Sequence, residues 1–302
     1  MFDANSLGSD ADWKQPFLVF DLSGMRDVAS ITAAKVRCQC SDLKMLLPGG
    51  AFFEFSNVSE PYATWSGSLK YFADCKDFVC VARKLAQIWK EELRTGEPCT
   101  DVVDWRATDF LRSVLQEVAM GRDDLLRALI DGPVQQLIPD SKAMWGESET
   151  HKSWITAIYD NFRNTLDEAT LKRFRRTPAE ALCDWIKSLD GIRFVFNGIK
   201  SRGANDATAL TLTCQPSVCA GFISAMGLLP LWWLANGGLQ DAPVEYLTND
   251  LLDIEYAILG AMSAGLENKD KRQSAICSAI AEGYAARQKW FRDFTKLGMC
   301  QM

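Results

Sequence analysis

The sequence predicts an α/β fold built on parallel strands. Three observations carry this reading. Short apolar runs alternate with helical patterns through the first third of the chain, which is the order expected of strands joined by helical crossovers. A long middle stretch, from about Trp105 to Leu189, is almost purely helical. The chain has 302 residues, 48% hydrophobic and 24% charged, enough for one large domain or two modest ones with a buried core.

The elements follow in order. Phe17-Leu18-Val19-Phe20-Asp21 is an apolar run closed by an acid and reads as a buried strand. Arg26 to Asp42 reads as a helix, with Ala29, Ala33, Val36 and Cys40 at helical spacing. Lys44 to Leu47 is a short second strand, stopped by Pro48-Gly49-Gly50. Ala51 to Val58 starts a helix that carries Glu54. Phe78-Val79-Cys80-Val81 is a third apolar run, and Ala82 to Leu93 is helical, with Leu85, Ile88, Trp89 and Leu93 on one face. Trp105 to Met120, Asp123 to Ile130 and Ser153 to Leu166 are helical segments. The next helix is punctuated by Thr177 as N-cap, Pro178 in first position, Glu180 completing a capping box and Gly191 past its end. Ile192-Arg193-Phe194-Val195-Phe196 reads as a strand.

The stretch from Ala207 to Gln240 has no charged residue. Pro216, Pro230, Gln215, Asn236 and several glycines break it, so no clean apolar run of about 20 residues exists to span a membrane. It reads as a buried helix pair, or as a partner-binding face bearing Trp232 and Trp233.

Composition excludes several chemistries. There is one histidine, His151, in a polar stretch, so a triad hydrolase or a histidine-ligated metal enzyme would rest on it alone. Ten scattered cysteines, with Cys38-Gln39-Cys40 at the wrong spacing for a zinc knuckle, read as reduced thiols in a cytoplasmic protein. Met1 to Lys14 is polar and acidic, unlike a signal or transit peptide. The net charge of -6 does not advertise general affinity for nucleic acid. Lys172-Arg173-Phe174-Arg175-Arg176 is the densest basic run and reads as a solvated helix end before it reads as a base-stacking phosphate site.

Carboxylates remain as the candidate chemistry. Asp21 ends the first strand, where open α/β sheets place ligands. Glu54 follows the turn after the second strand. Asp253 lies at the start of the helical pattern Asp250 to Ala257, with Asp250 one turn before it on the same face, and Asp270 follows in Asn268-Lys269-Asp270-Lys271. Each acid alone could cap a turn or favour a helix N-terminus. Together, at the edges of core elements, they suit Mg²⁺ or Mn²⁺, hard cations that take oxygen ligands.

The order and spacing of these acids resemble the PIN-domain nuclease superfamily. One block runs from Phe17 to about Leu93: a strand ending in Asp21 with Ser23 two residues on, Leu46-Leu47-Pro48 leading to Glu54, then Ser59-Glu60-Pro61, Ser68-Leu69, Phe78-Val79 and Glu91-Glu92-Leu93. The second runs from Asn249 to about Ile280, with Asp253 opening a helix and Asp270 after a helix-plus-strand separation. The family has an apolar strand ending in Thr-x-Asp, whereas Leu266-Glu267-Asn268-Lys269 precedes Asp270 here and reads as a poor strand.

The resemblance implies a three-layer α/β/α PIN-like fold with a central parallel sheet. Residues 1–100 and 191–302 would be its two parts, and residues 101–190 a large helical insertion. It implies metal-dependent hydrolysis of phosphodiester bonds by a metal-activated water, in RNA before DNA, with no membrane involved. Asp21, Glu54, Asp253 and Asp270 would be the catalytic and metal-binding acids. Asp250 would be a further ligand or support, and Ser23 would orient Asp21 or a metal-bound water. A toxin or defence effector restrained by an inhibitory protein partner, or acting as a homo-oligomer, fits the family. The alternative is a catalytically weak PIN-like interaction module acting through its helical insertion.

Overall fold

The computed structural model describes residues 14–56, 60–134, 148–237 and 244–296. Its centre is a four-stranded sheet of order β3-β2-β1-β4, with every pairing parallel. The strands are β1 (Gln15–Phe20), β2 (Lys44–Leu47), β3 (Val79–Val81) and β4 (Ser263–Glu267). The first three are the apolar runs of the sequence. The fourth corrects the reading of Leu266 to Lys269 as a poor strand for its first half only, since Asn268 and Lys269 lie beyond the strand's end. Leu266 and Glu267 pair with Val19 and Phe20, so a neighbouring strand supplies the order that local composition does not.

Alternate strand residues divide the core. Phe17, Val19, Leu46 and Cys80 face one apolar cluster, while Leu18, Phe20, Met45, Leu47, Val79 and Val81 face another. A sheet buried on both faces needs helices on both. On the second face lie α2 (Val28–Gln39), α4 (Pro61–Ala73), α6 (Trp105–Ala119) and α7 (Asp124–Leu129), reached after the short α1 (Leu22–Met25) and α3 (Gly49–Ser56). On the first face lie α5 (Leu85–Thr95), α8 (Ser148–Thr165), α9 (Glu168–Arg176), α10 (Pro178–Lys187), α11 (Leu189–Lys200), α12 (Asp206–Cys214), α13 (Val218–Ala235), α14 (Val244–Ala261) and α15 (Lys271–Lys296). All described elements between Trp105 and Leu189 are helical.

Ile192 to Phe196, expected as a strand, belongs to α11. Ser188 caps that helix by accepting from the Gly191 N–H at 3.2 Å, and Gly191, Val195 and Ile199 are buried at four-residue spacing. The aromatic and β-branched residues suggested a strand, but the burial period is helical. The expected capping box at Thr177 does not form. Thr177 holds the N-cap position without a side-chain bond to the helix, because α9 runs directly into α10 through it. Phe174, inside the basic run, is 2% exposed and packs in the core, so it offers no face to a base.

The uncharged stretch forms α12 and α13. The latter has a mean hydropathy of 1.8 and the length to cross a membrane, yet 78% of it is buried inside the fold. Its N-terminus meets Glu92 of α5, fully buried, whose carboxylate accepts from the N–H groups of Val218 at 3.0 Å and Cys219 at 2.8 Å, and also from Cys99 at 3.1 Å. A helix N-terminus leaves such donors unpaired and favours negative charge.

Candidate functional site

The site forms at the C-terminal edge of the sheet, where β1 and β4 end side by side. Asp21 follows Phe20 directly, and its backbone N–H donates to the Glu267 carbonyl at 3.3 Å. The Asp21 carboxylate caps α1, accepting from the Gly24 N–H at 2.7 Å and from the Ser23 hydroxyl at 2.9 Å. Ser23 therefore orients Asp21, as the sequence suggested. The same hydroxyl accepts from the Lys269 N–H at 3.0 Å, which ties the loop after β4 to the loop after β1. The Lys269 ammonium pairs with Asp27, the N-cap of α2, at 3.3 Å. Gly24 permits the close approach: a Cβ there would lie 2.3 Å from the Glu267 carbonyl oxygen.

Asp270 stands at the start of α15. Its carboxylate accepts from the Arg272 N–H at 2.7 Å and the Gln273 N–H at 3.1 Å. It is near enough to Asp21 for its charge to act there. Burial is the main reason the Asp21 carboxyl titrates above its ordinary value, the Gly24 and Ser23 hydrogen bonds oppose that rise, and the Asp270 charge adds to it.

Asp250 and Asp253 come from α14. Asp253 does not open that helix, which begins at Val244; it lies midway along it. The helix leads straight into β4, so it runs back against the strand, with its N-terminal half toward the same edge. Asp253 accepts from the Arg272 guanidinium at 2.7 Å and from the Gln273 amide at 3.2 Å. Asp250, 3% exposed, pairs with the same guanidinium and accepts from the Trp233 indole N–H at 3.0 Å. Burial lifts its carboxyl to about 6, against the pull of Arg272 and Trp233. Arg272 also reaches Asp270 at 3.7 Å.

Glu54 belongs to α3, which starts where β2 ends; its side chain lies outside the described residues, as does that of His151. The helix itself is held at this edge. The Gly50 N–H donates to Glu255 of α14 at 3.0 Å, and a Cβ on Gly50 would lie 3.0 Å from that carboxylate. The Pro48-Gly49-Gly50 turn thus lets α3 dock against the helix that carries Asp250 and Asp253.

Three residues not singled out from the sequence shape the site, Arg272, Gln273 and Glu255, and Trp233 joins them. Arg272 was signalled only by its place two residues after Asp270. Trp233, read as a possible exposed face, is half-buried and holds Asp250.

The donor chemistry is entirely carboxylate oxygen, which suits a hard divalent cation. As arranged, however, Asp250, Asp253 and Asp270 are turned to the Arg272 guanidinium. Among the described residues no three aspartate, glutamate, histidine or cysteine side chains are gathered as a metal centre. Comparison of the chain with family models, with curated proteins and with solved structures finds no match.

Proposed function

We propose that this protein is a metal-dependent nuclease of PIN-like fold that cleaves RNA in the cytoplasm. One observation carries the reading. Acids from distant parts of the sequence, Asp21 after β1, Asp250 and Asp253 on α14 and Asp270 after β4, converge on one edge of a parallel sheet. Carboxylates gathered at one edge raise one another's cost unless a positive charge stands among them.

Asp21, Asp253 and Asp270 would hold Mg²⁺ or Mn²⁺, with Glu54 from α3 and with Asp250 as a buried support. The cation would supply Lewis acidity for water attack on phosphorus and charge to offset the phosphate oxygens. The chain's own residues fix the rest. Ser23 and the Gly24 N–H hold the Asp21 carboxylate. Gln273, itself held by the Asn268 amide at 2.7 Å, holds Asp253. Trp233 holds Asp250. Such fixed supports limit the reorganisation a site must undergo when it binds.

A restraining protein partner, as for a toxin or defence effector, belongs to the same reading. The alternative, a PIN-like interaction module with weak or no catalysis, is favoured by one feature: Arg272 already pairs with three of the acids. The deciding experiment incubates the protein with mixed single-stranded and structured RNAs, with Mg²⁺ or Mn²⁺ and then with chelator. Cleavage that needs metal and disappears in Asp21→Asn supports the nuclease. No cleavage by the wild type in metal, without a partner present, supports the interaction module.

A further inference from the structure

A cleft of about 290 Å³ opens where three segments meet: the joint between α9 and α10, the last turn of α13 and the first turn of α15. Pro178, Trp232 and Ala275 give it an apolar wall, and Thr177, Glu180 and Lys271 complete the lining. Trp232 is half-buried, so its indole packs partly on the core and partly borders the cleft. The rim is positive. Lys271 is exposed, as are Arg175 and Arg176, which lead directly into Thr177. Their neighbours in the basic run are engaged, Lys172 with Glu168 and Arg173 with Asp184. No acid among the described residues pairs with Arg175, Arg176 or Lys271. Glu180 is the only acid among the described residues that line the cleft. Thr177 gives α10 no side-chain cap, so the first-turn N–H groups add to the positive side. This is a local reversal of sign in a chain of net charge -6.

An aromatic ring in an apolar wall, with unpaired cations at the rim, is what holds a single strand of nucleic acid. A base stacks on the ring and the phosphates on either side meet the cations. We infer that this cleft is a binding subsite for single-stranded RNA, with one base against Trp232 and the flanking phosphates on Lys271 and Arg176. The choice of RNA rests on the nuclease reading above. Position supports the assignment. Trp232 and Trp233 are consecutive on α13, and Trp233 holds Asp250. Lys271 stands between Asp270 and Arg272. A strand seated in the cleft therefore passes beside the acid edge and not over a remote face. A protein partner would need a far wider apolar surface, since specific protein interfaces bury about 1,200–2,000 Å² in total, and the apolar wall here is a few residues across. Paired bases are stacked in a helix and closed to such a cleft, so the strand it admits is unpaired.

The test is fluorescence anisotropy of a short labelled single-stranded RNA in chelator, where metal-dependent cleavage cannot occur, on wild type, Trp232→Ala, Trp232→Phe, Lys271→Gln and Arg176→Gln. Loss of the stacking ring should weaken binding about tenfold in Trp232→Ala, while Trp232→Phe keeps a ring and most of the affinity. Lys271→Gln and Arg176→Gln should each weaken binding and reduce the slope of log affinity against log salt by about 0.7, the share of one phosphate contact on a single strand. The same RNA annealed to its complement should bind more weakly than the single strand. If Trp232→Ala does not fold, Lys271→Gln and Arg176→Gln carry the test, because both side chains are exposed. Wild type that binds the single strand with affinity and salt slope unchanged in every folded variant overturns the subsite and leaves the nuclease reading standing. Wild type that binds no RNA overturns the subsite as well, and the metal-dependent cleavage assay then decides the nuclease reading separately.

Discussion

Asp21 and Asp250 are both buried acids whose carboxyls titrate high, and they make separate predictions. Asn in place of Asp21 keeps an oxygen to accept from Gly24, so α1 stays capped, while the charge that crowds Asp270 is lost. Asp21→Asn should therefore keep the wild-type circular dichroism, melt at the same temperature or slightly higher without metal, and lose metal-dependent RNA cleavage. Asp250 rises from an ordinary 3.8 to about 6. A folded-state value above the unfolded one means that the native protein holds a proton the unfolded chain has released. Its contribution to stability is then full below about pH 4 and is lost as pH rises to about 6, and it amounts to about 3 kcal/mol at most. Urea midpoints at pH 4.5 and 6.5 should differ less in Asp250→Asn than in the wild type. The place of Asp253 was misjudged, since its helix begins at Val244, but Asp21 at the sheet edge was legible in the sequence, because a carboxylate at the end of an apolar run is conspicuous. Arg272 was not, because an arginine in a charged turn has no local mark; only the fold brings α14 against it.

At the scale of elements, strands and helices with strong patterns were legible and those defined by neighbours were not. Phe17 to Phe20 is recognisable alone. Ser263 to Glu267 is a strand because β1 lies beside it, and Ile192 to Phe196 is helical because Val195 and Ile199 meet the core on one face. Two substitutions test what joins the elements. Glu92→Gln keeps the shape of the side chain but turns an amide donor toward the N–H groups of α13 and Cys99. It should cost about 1–3 kcal/mol, read as a lower urea midpoint with an unchanged slope. Gly24→Ala forces a methyl group into the Glu267 carbonyl. It should cost about 1–3 kcal/mol and weaken Mn²⁺ binding, since the strain separates the β1 and β4 loops that carry Asp21 and Asp270.

Over the whole molecule, one apolar cluster extends from β1, β2 and β3 through α5 and on to α15. Residues 101–190 contribute to both faces of the sheet, with α6 and α7 on one side and α8 to α10 on the other. Tryptophan fluorescence and far-ultraviolet circular dichroism should accordingly report a single coincident urea transition; two separated transitions would mark residues 101–190 as an independent unit. The layers and the parallel sheet were legible from alternation of strands and helices, but the way the middle helices divide between the faces was not, since amphipathic stripes do not name the surface they cover. The pairing of β1 with β4 has a consequence for synthesis. The ribosome makes Asp21 early, while the strand that aligns Asp270 beside it and the helix bearing Asp250 and Asp253 emerge more than two hundred residues later. A nascent chain therefore carries no assembled acid cluster, and whatever that edge of the sheet binds must wait until α14 and β4 have left the ribosome.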